Sequence, residues 1–101
     1  MYSMDNLKKL PKLGKLATDA TTAFWAYDKA ALADGAIPKK YKELMAIAVA
    51  LSTQCPYCIE AHKQAAIKAG ASEQELAEAV HVAAALRAGG SITHGTHLLE
   101  D

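Results

Sequence analysis

Both cysteines of the chain and one histidine lie in a single short segment, Cys55-Pro56-Tyr57-Cys58-Ile59-Glu60-Ala61-His62. Residues three apart on a helix are neighbours, with Cβ atoms about 5–6 Å apart. A disulfide requires Cβ atoms about 3.5–4.5 Å apart, so a modest local adjustment lets Cys55 and Cys58 form one. His62 follows Cys58 by four residues, on the same helical face, where an imidazole can take the thiol proton and leave a reactive thiolate. This spacing predicts a thiol redox site.

The position of the histidine distinguishes the two thiols. A helix N-terminus favours a thiolate through its partial positive charge and its unpaired N–H groups, and both cysteines share that benefit. Only Cys58 also has a histidine four residues later. We therefore predict that Cys58 is the attacking thiol and Cys55 the resolving thiol, although in a generic C-x-x-C motif the N-terminal thiol is usually the more exposed one.

A histidine acts better as a base when a carboxylate orients its ring. Glu60 is two residues from His62 and therefore lies on a different helical face. Glu43 lies early in the preceding helix, on the polar side of an otherwise apolar segment. If these two helices pack antiparallel, Glu43 lies about 15 Å from the helix end and His62 about 10 Å, which is close enough for contact. Glu43 is the predicted partner of His62.

Helix signals dominate the chain, and no segment shows the sustained alternation of apolar and polar residues that marks a strand. Alanine, the strongest helix former, occurs 22 times. We predict an all-α fold of about five helices, preceded by a loop or short turn through Lys15. The predicted helices cover residues 18–33, 38–53, 55–69, 72–86 and 91–99, with Gly89-Gly90 separating the last two.

Length and composition limit the class of protein. A chain of 101 residues is expected to form a single domain, residues 1–101. Lys plus Arg equals Asp plus Glu at 11 each, a balance that gives no electrostatic footprint for nucleic acid. The longest apolar run, residues 44–51, is too short to cross a membrane, and we expect a cytoplasmic protein. In that compartment a C-x-x-C pair more often indicates redox chemistry or a metal than a structural bridge.

The four candidate residues carry a family resemblance. Glu43, eleven intervening residues, Cys55-Pro56-Tyr57-Cys58, three residues and His62 resemble the E-x(11)-C-x-x-C-x-x-x-H signature of the AhpD-like alkylhydroperoxidases, within the carboxymuconolactone decarboxylase superfamily. The resemblance extends from about residue 24 to residue 99. The best-known peroxidases of this family are longer, with two copies of the helical unit, and have a histidine where this chain has Tyr57.

The resemblance implies a function and a set of partners. It implies that Cys58 attacks a hydroperoxide, that Cys55 forms the disulfide, and that His62 and Glu43 relay the proton. It further implies a dithiol reductant, either a thioredoxin-like protein or a lipoyl-bearing protein, and assembly into a trimer or hexamer with sites near subunit boundaries. Neither a cofactor nor a catalytic metal is expected. The apolar second and fourth predicted helices also favour a homo-oligomer, because one small subunit can hardly cover them.

Two other interpretations of the same residues remain open. Cys55, Cys58 and His62 could be three zinc ligands, with Glu43 or another histidine as the fourth, although structural zinc sites usually draw on two separated ligand pairs. The cysteines could also be inert core residues, since free cysteine is among the most buried residue types. The alternative function is therefore a non-catalytic helical assembly module with a redox-sensing or zinc-binding site.

Overall fold

The computed structural model describes residues 2–101, and within them the ordered elements are helical throughout. The all-α fold predicted from the sequence is thus confirmed. The five α-helices are α1 (Leu10–Leu16), α2 (Thr18–Leu32), α3 (Lys39–Thr53), α4 (Pro56–Lys68) and α5 (Glu73–Gly95). Short 3₁₀-helices, Met4–Lys9 and Thr96–Leu98, flank them.

The core lies where α3, α4 and α5 meet, and it consists mostly of alanine. Small side chains let helix backbones approach closely, so that few large residues are needed between them. The buried apolar residues are Ile47, Ala50, Ala66, Ala79 and Ala83. Arg87 adds a polar link, because its guanidinium donates a hydrogen bond of 2.8 Å to the carbonyl of Ser52 and so ties α5 to the end of α3.

The turn between α3 and α4 sets the position of the cysteines. Gln54 is its left-handed residue, with φ 56°, and its backbone N–H bonds to the carbonyl of Ala50. The N–H of Cys55 bonds to the same carbonyl at 3.1 Å. Because this turn closes within two residues, α4 folds back beside α3. The antiparallel packing assumed in predicting contact between Glu43 and His62 is therefore present.

The sequence-based boundaries were wrong at both ends of the chain. The segment through Lys15, predicted as a loop or short turn, contains a 3₁₀-helix and α1. Pro11 lies in the first turn of α1, where its missing N–H leaves no hydrogen bond unmade. The break predicted at Gly89-Gly90 is absent, since α5 continues to Gly95. Glycine in a helix interior costs only about 1 kcal/mol relative to alanine, so two glycines weaken α5 without ending it.

The N-terminal helices α1 and α2 contribute no buried residue to this core. The radius of gyration is 17.0 Å, and the molecule measures 56 × 31 × 29 Å. A compact chain of this length has a radius of gyration of about 13 Å. The molecule is therefore elongated, with α2 lying along one side of the core. Across residues 2–101, no helix combines the length and apolar character needed to cross a membrane.

Candidate active site

The first turn of α4 carries both cysteines in the arrangement predicted from the sequence. Cys55 is the N-cap of α4, Pro56 is its first residue, and Cys58 lies in the third helical position. The Sγ atom of Cys55 accepts a hydrogen bond of 3.2 Å from the backbone N–H of Cys58. The two residues are joined by a disulfide, with Cα atoms 5.3 Å apart. Each cysteine is half-buried, so the bridge lies at the surface end of the helix.

The predicted contact between His62 and Glu43 is confirmed. The Nδ1 atom of His62 lies 2.9 Å from Oε2 of Glu43. An ionised carboxylate can only accept a hydrogen bond, so Nδ1 is the donor in this pair, and in the neutral form of the ring Nε2 then carries no proton. The sequence placed Glu43 on a polar face of its helix, and that prediction was wrong. The Glu43 side chain is only 2% exposed. The His62 side chain is 25% exposed and therefore remains within reach of solvent.

A lysine that the sequence interpretation missed completes the contacts of the buried carboxylate. Lys39 Nζ lies 3.3 Å from Oε1 of Glu43 and donates to the carbonyl of Leu32, also at 3.3 Å. Each carboxylate oxygen thus has one partner, Lys39 on one side and His62 on the other. The available signal was the spacing of Lys39 and Glu43, since oppositely charged residues four apart on a helix face each other.

A cleft of 560 Å³ between α2 and the α3–α4 pair exposes part of this constellation. Cys58 and His62 both line it, whereas Cys55 does not. Most of the remaining wall is apolar and comes from α2 and α3, including Phe24, Tyr27, Leu32, Ala46 and Val49. Asp28 adds a half-buried carboxylate to the α2 wall. Asp28 was not predicted, because the packing of α2 against α3 leaves no local pattern in the sequence.

Tyr57, the residue before Cys58, contacts the N-terminal segment. Its hydroxyl accepts a hydrogen bond of 2.8 Å from the side-chain amide of Asn6. Its ring also meets the ring of Tyr2 edge-on, with centroids 5.7 Å apart. Tyr57 therefore links the first 3₁₀-helix to the first turn of α4.

The zinc interpretation gains no support from the geometry. Within residues 2–101, no group of three or more His, Cys, Asp or Glu side chains is placed to hold a metal ion. The thiols that would have to bind zinc as thiolates are instead joined to each other. The arrangement present is a disulfide beside an oriented imidazole.

Comparison with known proteins defines the class to which this fold and site belong. Residues 18–101 match the model of the carboxymuconolactone decarboxylase family, and the chain belongs to that family. A carboxymuconolactone decarboxylase family protein from Legionella pneumophila, solved in its apo form, has 37% sequence identity and a TM-score of 0.79. The superposition covers 91% of this chain and 82% of the Legionella chain.

Two relatives are similar to parts of this chain. It is 47% identical over 77 residues to an uncharacterized protein encoded in the cox locus of Paracoccus denitrificans, covering 76% of this chain and 69% of the relative. It is 40% identical over 52 residues to an alkyl hydroperoxide reductase of Mycobacterium tuberculosis. That match covers 52% of this chain but only 15% of the reductase, so the similarity is confined to a short part of a much longer protein.

Proposed function

We propose that this protein is a thiol-dependent peroxidase that reduces organic hydroperoxides through a dithiol–disulfide cycle of Cys58 and Cys55. The observation that carries the proposal is the shared cleft: Cys58 and His62 both line it, and His62 is held from behind by Glu43. The similarity to an alkyl hydroperoxide reductase in the region of the match adds support.

The first half of the cycle oxidises Cys58. With Nδ1 bonded to Glu43, His62 offers its free Nε2 atom to the proton of the Cys58 thiol, and a thiolate forms. The thiolate sulfur attacks one oxygen of the hydroperoxide, and the O–O bond breaks. The sulfur keeps that oxygen as a sulfenic acid, and the departing alkoxide takes the proton held by His62 and leaves as an alcohol.

The second half of the cycle forms the disulfide and restores the thiols. Cys55, one helical turn away, attacks the sulfenic sulfur, the S–O bond breaks, and water leaves. The net reaction converts one dithiol and one hydroperoxide into one disulfide, one alcohol and one water. An external dithiol then reduces the bridge by thiol–disulfide exchange, and we propose a thioredoxin-like or lipoyl-bearing protein of the cytoplasm for this step.

A coupled peroxidase assay tests this function. Purified protein is supplied with cumene hydroperoxide and, in separate reactions, with a thioredoxin system or a dihydrolipoyl protein. The proposal requires peroxide-dependent consumption of reductant with at least one of these partners. If the protein only exchanges its disulfide with reductants and consumes no peroxide, the alternative of a redox-sensing module is the better account.

We also propose that the working form is a homo-oligomer, with at least three subunits and a hexamer as the expected state. Large apolar side chains lie exposed along α2 and along the outer face of α5, including Phe24, Trp25, Val82, Leu86 and Ile92. Contiguous apolar surface of this kind usually marks an interface. The elongated shape of the subunit also favours a homo-oligomer, since a second subunit can fill the space beside α2.

Light scattering coupled to size exclusion at micromolar concentration measures the assembly. We expect a mass of at least three times 10.7 kDa. The Leu86→Glu variant should lower that mass, because it places a charge on the apolar face of α5, whereas Glu78→Gln in the same helix should not. A monomeric mass for the unmodified protein across a dilution series would contradict the proposed assembly.

A further inference from the structure

Lys39 meets the buried Glu43 carboxylate from the solvent edge of the site. The lysine side chain is 44% exposed, whereas the carboxylate that it contacts is 2% exposed. The ammonium bonds to the carboxylate oxygen that His62 does not use, and it is anchored by the carbonyl of Leu32 at the end of α2. The proposed relay from Cys58 through His62 to Glu43 therefore continues to a cation.

The other charged groups around Glu43 and His62 show why the positive charge of Lys39 matters for this pair. Cys58 of α4 and both Asp28 and Tyr27 of α2 line the adjoining cleft, and each is either neutral or negative. Glu75 reaches α3 from α5, but its carboxylate is occupied by Lys40 at 2.9 Å. Lys39 is the cation bonded to Glu43, and a nearby positive charge disfavours an additional proton on the pair.

We propose that Lys39 is a positioning residue of this site, whose ammonium keeps an extra proton off the Glu43–His62 pair near neutral pH. His62 then has a free Nε2 atom when the Cys58 thiol must lose its proton. This inference rests on the proposed peroxidase function, and it adds a residue that sets the pH range in which Cys58 is reactive. Removal of the cation favours protonation of the pair, so the acid limb of Cys58 reactivity must move to higher pH.

Lys42 provides a matched control on the same helix. Its ammonium donates to the carbonyl of Ala33 at 2.8 Å, one residue beyond the carbonyl that Lys39 holds. Both lysines thus tie the start of α3 to the end of α2, but the bonds recorded for Lys42 do not include Glu43. An effect that arises only from loosening this junction must appear in variants of either lysine, whereas an effect on the relay must appear only in variants of Lys39.

The test measures the rate of alkylation of Cys58 by iodoacetamide as a function of pH. It uses the full chain carrying Cys55→Ser, which leaves a single thiol and retains a good N-cap for α4. The variants compared in this background are Lys39→Met, Lys39→Gln, Lys39→Arg, Lys42→Met and His62→Gln. Lys39→Gln removes the charge but retains a donor for the carbonyl of Leu32. If Lys39→Met fails to fold, the Lys39→Gln variant tests the role of the charge.

We expect the midpoint of the acid limb to rise by about half to one pH unit in the Lys39→Met and Lys39→Gln variants. Lys39→Arg should restore the original midpoint, and Lys42→Met should not move it. If the uncharged Lys39 variants match the parent while His62→Gln alters the profile, the role of Lys39 is refuted and the thiol relay stands. If His62→Gln leaves the profile unchanged, the relay itself is refuted, and with it the role of Lys39.

Discussion

The Cys58→Ser variant is expected to lose peroxide turnover by at least about a thousandfold, because the attacking sulfur is gone and a serine hydroxyl is a poor nucleophile toward peroxide. The prediction follows from the lining of the cleft, which includes Cys58 and His62 but not Cys55. Steady-state peroxide reduction, measured with a saturating dithiol reductant, provides the comparison with the unmodified protein.

The Cys55→Ser variant is the matched control, because it removes the other sulfur from the same helical turn. It should still consume one equivalent of peroxide and then stop, with Cys58 trapped as a sulfenic acid that a dimedone-type probe and mass spectrometry detect. If Cys55 in the Cys58→Ser variant is instead the residue that becomes oxidised, the assignment of the two thiols is reversed.

The Glu43→Gln variant is expected to lower turnover by about 10²–10⁴-fold while leaving the protein folded. An amide can offer its NH₂ group to Nδ1 of His62, which favours the tautomer that carries its proton on Nε2. That nitrogen then has no lone pair for the thiol proton of Cys58. Glutamine has nearly the same volume as glutamate and keeps an oxygen for Lys39, so the packing around this side chain is preserved.

The control for this variant is Glu60→Gln on α4. The Glu60 side chain is exposed, and its carboxylate accepts a hydrogen bond of 3.1 Å from Gln64 rather than contacting His62. The turnover of the Glu60→Gln variant should match that of the unmodified protein. Circular dichroism during thermal unfolding verifies that both variants are folded. Unchanged turnover in a folded Glu43→Gln protein would show that the carboxylate does not serve the reaction.

The part of the site that could be predicted from sequence is the part determined by local geometry. Pro56, just after Cys55, predicts a helix that begins at Pro56 with Cys55 as its N-cap, and α4 has this arrangement. The contact of Glu43 with His62 followed from the rise per residue of two helices joined by a short turn. Such features depend on residues that are close together in the chain, and helix capping and the rise per residue determine them directly.

The features that could not be predicted depend on how separate helices pack. Glu43 looked like a residue of a polar face, but α4 covers it and His62 and Lys39 satisfy its oxygens. Asp28 enters the cleft only because α2 lies beside α3. The continuity of α5 through Gly89-Gly90 was missed for another reason, since two glycines weaken a helix without ending it.

A single-turnover experiment tests the central claim most directly, because it needs no knowledge of the physiological reductant. Fully reduced protein, freed of small thiols, is mixed anaerobically with one equivalent of cumene hydroperoxide, and peroxide and free thiols are followed in time. The proposed cycle predicts the loss of one peroxide and two thiols per subunit, with a Cys55–Cys58 disulfide as the product and a rate far above that of free dithiothreitol. Peroxide that persists, or that disappears no faster than with free dithiothreitol, would contradict the proposed peroxidase function.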